Sequence, residues 1–157
     1  MKNKINNYPE NKFSLLSSSN FTKENLSCGI HQDMNINAFK VNNINKGMTI
    51  SGVFISDVIK NKCSKFIIIK KNTFYKNIPS HDTILTYNQK IRIDNKDKKA
   101  ESLIDGVNIK NIILPESDTY NFLSDKKNYL YINNLQILCD CDKNYIEDDI
   151  KNSNLFL

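Results

Sequence analysis

The sequence predicts an all-β protein built around a small, strongly bent barrel, and three observations lead to this fold class. Short β-rich runs recur along the chain with turn residues between them and with little helical periodicity. The chain has only 4 glycines, and three of them, Gly47, Gly52 and Gly106, lie in or beside such runs. Because glycine weakens a strand by about 0.5–1 kcal/mol, its presence there indicates sharp bends of the kind that close a small barrel.

Length and composition indicate one domain without an export signal. The 157 residues suffice for a core of about 80–100 residues without metal or disulfide staples. The formal net charge of +5 is compatible with an RNA partner but does not demand one. Residues 1–8 lack the apolar core of a signal peptide, and no apolar stretch approaches membrane-spanning length. The sequence therefore predicts a protein of the nucleus or cytoplasm with no membrane partner.

Changes in composition divide the chain into three predicted regions. Residues 1–33 are expected to form a poorly ordered N-terminal extension, with a short helix over residues 22–28. Residues 34–115 form the predicted barrel. Residues 116–157 form a C-terminal extension that carries a possible hairpin and an acidic tail.

Within the barrel region, the clearest strand is predicted over residues 65–70, because Phe66-Ile67-Ile68-Ile69 is short, largely β-branched and flanked by turn residues. The other predicted elements follow in chain order: a strand over 47–54 between two glycines, strands over 83–87 and 90–93 that pair with each other, a polar loop over 94–99, and a strand over 102–114 that bends at Gly106 and ends at Pro115. In the C-terminal extension, Asn133-Asn134 separates two apolar runs, 129–132 and 135–138, which predicts a hairpin.

Motifs for catalysis or metal binding are missing from the sequence. Cys139 and Cys141 form the one close cysteine pair, and neither a CxxC motif nor a nearby histidine pair completes a zinc pattern. They are predicted to be thiols on one side of a strand. His81-Asp82 has no nucleophile at a recognisable elbow, and no glycine-rich loop is available to hold phosphate. We therefore expect that the protein is not an enzyme and that it has neither a metal site nor a cofactor.

Two segments resemble the signature motifs of the Sm and Sm-like family of RNA-associated proteins. The first motif is matched by Gly47, Ile50, Gly52 and Phe54, followed by Asp57 and Asn61; the second is matched by Leu103-Ile104-Asp105-Gly106, Ile109 and Ile112. The resemblance covers residues 36–115 and implies a five-stranded Sm-like barrel with extensions at both ends. Two departures stand out: Asp57 lies one residue closer to Gly52 than is usual, and Asp105 replaces the usual arginine.

The resemblance also implies an RNA-binding site. Ile59 would lie against a base, and Asn61 would hydrogen-bond the base edge. Asp57 would brace the loop, with Gly47 and Gly52 as structural residues of the motif. Lys60 and Lys62 would contact the RNA backbone. Asp105 and Gly106 of the second motif would also contact the RNA. Because the Asp105 carboxylate repels phosphate, the resemblance implies a subunit that recognises bases only weakly.

The function implied is that of a divergent Sm-like subunit in a hetero-oligomeric ring that holds single-stranded, U-rich RNA during pre-mRNA splicing or mRNA decay. Its neighbours would be other Sm-like subunits, paired edge to edge through a strand over residues 107–114. Two alternatives stay open, and in both of them the glycines would be ordinary turn residues of a different all-β fold. One is a protein-interaction module without RNA binding. The other is an OB-type single-strand binder that relies on Tyr75 and Tyr87.

Overall fold

The computed structural model describes residues 29–141, and its regular structure is almost entirely β. Within this range there are twelve strands: β1 (Ile30–His31), β2 (Asn35–Ile36), β3 (Phe39–Lys40), β4 (Thr49–Ile50), β5 (Val53–Phe54), β6 (Asp57–Ile69), β7 (Thr83–Leu85), β8 (Lys90–Ile93), β9 (Lys96–Lys99), β10 (Ile109–Ser124), β11 (Asn128–Ile132) and β12 (Leu135–Cys141). Two short 3-10 helices span Val41–Asn43 and Ala100–Leu103. The all-β prediction is confirmed, and the predicted count of five strands is wrong.

The two longest strands, β6 and β10, form the axis of the fold. They pair antiparallel from Asp57 opposite Leu123 to Ile69 opposite Ile109, and a register shift interrupts the ladder between Ile113 and Ser117. Pro115 lies in this irregularity, where a residue without an N–H is tolerated. The strand predicted to end at Pro115 therefore continues to Ser124.

Eight strands form one sheet around this axis. The strand order is β1-β7-β6-β10-β12-β8-β9, with β11 paired to β12. β1 also pairs with β10, so the pairings among β1, β7, β6 and β10 return to β1. Two separate hairpins, β2–β3 and β4–β5, make up the rest. β8 pairs with β12 and β9 rather than with β7, so the predicted pairing of the strands over 83–87 and 90–93 is wrong.

One apolar core holds the hairpins to the sheet. Ile36 and Val53 of the hairpins belong to the same buried cluster as Ile67, Leu85 and Leu130 of the sheet. An isolated two-stranded hairpin is at best marginally stable in water, so this shared burial accounts for the short strands. A second, smaller cluster lies on the β6–β10 pair and consists of Cys63, Phe66 and Ile112, with Ile68, Ile84 and Leu114 packed against them.

The three motif glycines occupy turns. Gly47, Gly52 and Gly106 have φ values of 93°, 80° and 76°, and a Cβ added to any of them would meet nothing within 4 Å. Ser51 (φ 50°) and Gly52 form the two-residue turn between β4 and β5, a conformation that suits a hairpin. The predicted single strand over 47–54 is therefore a hairpin, and these glycines supply positive φ rather than close approach.

Asparagine and aspartate supply positive φ at two further hairpins. Asp94 (φ 52°) and Asn95 (φ 64°) connect β8 to β9, where the sequence predicted a polar loop over 94–99. Asn133 (φ 51°) and Asn134 (φ 67°) connect β11 to β12, which confirms the predicted hairpin. Short polar side chains tolerate the left-handed conformation that these turns need.

The eight-stranded sheet extends beyond both ends of the predicted barrel region. Ile30 and His31, assigned to the N-terminal extension, are buried in β1. β10 crosses the predicted boundary at 115/116, and β11 and β12 join the same sheet. The helix predicted over 22–28 and the acidic tail after residue 141 lie outside the described residues.

Candidate functional site

The residues of the predicted RNA site lie in two separate places. Asp57, Ile59 and Asn61 are alternate residues of β6, where they share one face of the strand. Asn61 pairs with Thr119, whereas Gly106 lies near Ile109, which pairs with Ile69. Positions 61 and 69 are eight steps apart along β6, or about 26 Å at ~3.3 Å per residue. The chain therefore does not bring the two halves of the predicted site together.

Asp105 is engaged within its own loop. Its Oδ1 accepts hydrogen bonds from the backbone N–H groups of Val107 (2.8 Å), Asn108 (2.8 Å) and Ile109 (2.9 Å). These hydrogen bonds hold the pKa of Asp105 below its usual value, and the bond from Ile109 has the largest effect. Gly106 supplies the positive φ of this turn. The carboxylate thus shapes the loop before β10.

Lys60 and Lys62 share one carboxylate. Their Nζ atoms lie 3.4 Å and 3.7 Å from the Oδ2 and Oδ1 atoms of Asp118 on the neighbouring strand. Lys60 also lies 6.0 Å from the ring centroid of Tyr120. The lysine side chains are 58% and 66% exposed, so each pair contributes little to stability. Asp118 nevertheless reduces the positive charge that the two lysines present to a phosphate backbone.

A different set of polar side chains is buried where β1 meets β10. Its members are all less than 5% exposed: His31, Thr86, Gln89, Thr119 and Asn121. In the strand register His31 pairs with Thr119, and Thr119 pairs with Asn61. Because directly opposed residues project to the same face, these three form one polar row across β1, β10 and β6.

Gly29 lies beside this polar row and is tightly packed. Its carbonyl accepts the N–H of Thr86 at 3.0 Å. A Cβ at Gly29 would lie 3.0 Å from Cβ of Thr119 and 3.2 Å from the backbone nitrogen of Tyr120. The Oγ1 of Thr119 is buried and has no hydrogen-bond partner among residues 29–141. The segment entering β1 is thus held between the turn after β7 and strand β10, next to an unsatisfied hydroxyl.

Gln89 connects this cluster to β12. Its backbone N–H donates to the carbonyl of Thr86 at 3.2 Å, and its Nε2 donates to the buried carbonyl of Leu138 at 3.2 Å. The turn containing Thr86 and Gln89 is thereby fixed at both ends. The turn thereby positions the backbone N–H of Thr86, which donates to the carbonyl of Gly29.

His31 is the titratable member of the cluster. Burial lowers the pKa of His31, and the Asp33 carboxylate, whose Oδ2 lies 3.8 Å from Nδ1, offsets this effect in part. Nδ1 accepts the backbone N–H of Asp33 at 3.1 Å. In the neutral ring the proton is therefore assigned to Nε2, which makes Nε2–H a hydrogen-bond donor.

Asp97 organises a second polar group, on the hairpin formed by β8 and β9. Its carboxylate accepts the hydroxyl of Tyr129 at 2.9 Å and lies 2.9 Å from Nζ of Lys127 and 3.3 Å from Nη1 of Arg92. Burial acts to raise the pKa of Asp97. The hydrogen bonds from Lys127 and Tyr129 and the charges of Lys127 and Arg92 outweigh it, so the pKa lies below its usual value.

Replacing Asp97 with asparagine should lower the stability by roughly 1–3 kcal/mol near neutral pH. A carboxyl group whose folded pKa is depressed stabilises the fold above its unfolded pKa, near 3.8, and this contribution is lost as the pH falls through the folded pKa. Urea unfolding of both proteins between about pH 7 and about pH 3 measures the difference, which should shrink with acid. Glu116→Gln, at an exposed carboxylate on β10, is the control. A difference that stays constant with pH contradicts the prediction.

Within residues 29–141, no group of three or more His, Cys, Asp or Glu side chains is arranged to hold a metal ion. No helix in this range is long and apolar enough to cross a membrane.

The sheet and its hairpins define the class of this protein as an all-β domain with a long central strand pair. The fold is similar to the solution structure of a bacterial intein-like domain from Clostridium thermocellum, with a TM-score of 0.55 and 12% sequence identity. The alignment covers 73% of this chain and 99% of that domain. At this identity the similarity shows the fold alone. No protein-family model and no curated protein matches the chain.

Sequence reasoning missed the buried polar cluster. Gly29 was the one glycine that no predicted motif used. The run Ser117 to Asn121 carried a usable signal, since its alternate residues Ser117, Thr119 and Asn121 are all polar and all buried. The alternation of polar and apolar residues along a strand does not by itself distinguish a polar strand face that is buried from one that is exposed to solvent.

Proposed function

We propose that this chain is an intein-like, self-processing domain in which Cys28 attacks the peptide bond that precedes it. The observation that carries the proposal is the environment of Gly29, the residue bonded to Cys28. Gly29 is buried between β10 and the turn after β7, beside the polar row. The similarity of fold to an intein-like domain supports the same reading. Cys28 itself lies outside the described residues, so its part in the proposal comes from its place in the sequence.

The proposed chemistry uses the cysteine as a nucleophile. Sγ of Cys28 attacks the carbonyl carbon of Ser27; a C–S bond forms and the C–N bond breaks. The thiol proton passes to the released α-amine of Cys28, which leaves residues 1–27 as a thioester. Water or an added thiol then cleaves the thioester and releases residues 1–27 as a peptide.

The contacts around Gly29 suit such a rearrangement. The hydrogen bond from Thr86 to the Gly29 carbonyl and the tight packing against Thr119 restrict the backbone next to the reacting bond, and restriction of this kind lowers the entropic part of a barrier. The buried cluster also offers a donor that a developing oxyanion requires, namely the Thr119 hydroxyl, which lies beside Gly29 and has no hydrogen-bond partner within residues 29–141. An unsatisfied buried hydroxyl is costly, which supports a role in binding a polar group.

The test is intact mass spectrometry of the full-length protein, 18.2 kDa, incubated with hydroxylamine or dithiothreitol. We expect a new species that lacks residues 1–27. Cys28→Ala should abolish it, whereas Cys139→Ala, which removes a buried thiol from β12, should not. A mass that stays at full length, or cleavage that survives Cys28→Ala, overturns the proposal.

A non-enzymatic, RNA-associated ring subunit of the Sm-like kind is the second proposal, and one observation favours it. Among the described residues, positions 110–113 of β10 pair only with β6, so one edge of this segment is open to a strand of a neighbouring subunit. Its test is native mass measured with and without U-rich RNA. We expect a native mass that is a multiple of the chain mass, and weaker RNA binding by Asn61→Ala than by the wild type. A monomer that does not bind RNA would contradict this second proposal.

A further inference from the structure

Four strands of the sheet present an outer face that is basic and aromatic. β11, β12, β8 and β9 are neighbours in that order. In their register Tyr131 pairs with Gln136, Gln136 with Arg92, and Arg92 with Asp97. These residues form one row across four strands, since directly opposed residues share a face. Beside this row, Lys90 on β8 lies directly opposite Lys99 on β9.

This face points away from the core. Leu130, Ile132, Ile137 and Ile91, which alternate with the row along the same strands, are at most 2% exposed and belong to the main core cluster. Successive strand residues point to opposite sides, so the row lies on the outside. Tyr131 is 48% exposed, and Lys90 and Lys99 are exposed as well. We call this surface, made of Tyr131, Arg92, Lys90, Lys99 and Lys127, the outer basic face.

The charges on the outer basic face are not balanced. Like charges directly opposite each other destabilise a strand pair, and Lys90 and Lys99 make no ion pair within residues 29–141. Arg92 and Lys127 add two positive charges, against which Asp97 supplies one negative charge. By contrast, Lys60 and Lys62 share Asp118. A concentrated positive field attracts a polyanion.

Aromatic rings accompany these charges. The hydroxyl of Tyr131 accepts a hydrogen bond from Nε2 of Gln136 at 3.2 Å, which restrains an otherwise exposed ring. The Arg92 guanidinium lies 5.0 Å from the ring centroid of Tyr129. Proteins that bind single-stranded nucleic acid combine these two features, because bases stack on exposed rings while cations meet the phosphates. With strands about 4.8 Å apart, Tyr131 and Lys90 lie on the order of 10–15 Å apart, so one short strand can touch both.

We propose that the outer basic face binds single-stranded nucleic acid, with a base stacked on Tyr131 and phosphates at Lys90 and Lys99. The proposal goes beyond self-processing at Cys28 and does not depend on it. It also uses a different surface from Asn61, Lys60 and Lys62. Binding of this kind tolerates many sequences and weakens steeply with salt.

The test measures the fluorescence anisotropy of a labelled single-stranded RNA, either U-rich or of mixed sequence, with the full-length chain at several salt concentrations. Tyr131→Ala should weaken binding by about fivefold or more. Phe54→Ala is the matched control, because Phe54 is 45% exposed on the separate β4–β5 hairpin, and it should bind like the wild type. Circular dichroism of each variant checks that the fold is kept.

A double variant tests the phosphate contacts. Lys90→Gln with Lys99→Gln should lower the affinity and reduce the slope of log affinity against log salt by about 1.4, since each contact with a single strand contributes about 0.7. Lys40→Gln with Lys46→Gln, at two exposed lysines outside the eight-stranded sheet, is the control and should leave the slope nearly unchanged. Three results overturn the proposal: no binding by the wild type, equal losses in the face and control variants, or tighter binding to phosphatidylserine vesicles than to RNA.

Discussion

Replacing Phe66 with alanine should lower the free energy of unfolding by about 3–5 kcal/mol. The ring is fully buried, with 0% of it exposed, and packs with Cys63 and Ile112 in the smaller cluster on β6 and β10. It also packs against the His31 ring in a T-shaped arrangement, with 5.0 Å between the ring centroids. A domain of this size is stable by only about 5–15 kcal/mol, so urea unfolding should show a large shift of the midpoint.

The same substitution should raise the pKa of His31 towards its usual value of 6.5. Burial depresses this pKa in the folded protein, and removal of the neighbouring ring admits water. When the pKa of a histidine is lower in the folded than in the unfolded protein, its contribution to stability is fully present above the unfolded pKa. This contribution is lost as the pH falls from the unfolded pKa to the folded pKa. In Phe66→Ala this acid-dependent loss should therefore shrink.

Phe122→Ala is the matched control for this pair of effects. Phe122 is a buried phenylalanine, 2% exposed, and belongs to the main core cluster rather than to the cluster around Phe66. Its loss should destabilise the protein by a similar amount without raising the pKa of His31. NMR titration of the imidazole protons measures that pKa. An unchanged His31 titration in Phe66→Ala would show that the phenylalanine ring does not keep water from the histidine.

Replacing Gly29 with valine should destabilise the protein by roughly 1–3 kcal/mol through overpacking. The first added carbon would already lie 3.0 Å from Cβ of Thr119 and 3.2 Å from the backbone of Tyr120. β1 must then move away from β10, and Thr86 would lose the Gly29 carbonyl as its acceptor. Loss of that bond adds about 1 kcal/mol.

Gly47→Ala separates this steric effect from the general cost of replacing a glycine. A Cβ at Gly47 meets nothing within 4 Å, and only its φ of 93° opposes a side chain. That substitution should therefore cost about 1–2 kcal/mol, from backbone conformation alone. Guanidinium unfolding of the two variants gives the comparison. A smaller loss for Gly29→Val than for Gly47→Ala would mean that β1 relaxes without strain.

Local sequence was sufficient for the all-β class and for single elements. The largely β-branched run Phe66 to Ile69 lies in β6, and Asn133-Asn134 connects β11 to β12, as predicted. Each of these features depends on the conformational preferences of a few adjacent residues, which the chain carries without its partners. The glycines at 47, 52 and 106 were likewise recognised as special, although their role is turn formation.

The candidate sites depended on contacts between distant parts of the chain. Gly29 meets Thr86 and Thr119, and Tyr131 shares a face with Lys90, only because strands remote in sequence are neighbours in the sheet. The same holds for the end of β10, where an irregularity in the pairing with β6 carries the strand past Pro115. The amino-acid sequence by itself thus determined the class of fold and where several turns and strands lie, because these follow from local backbone preferences. Which strands pair, and so which polar groups become buried together, was decided only by the tertiary structure, because burial and register are properties of the whole sheet.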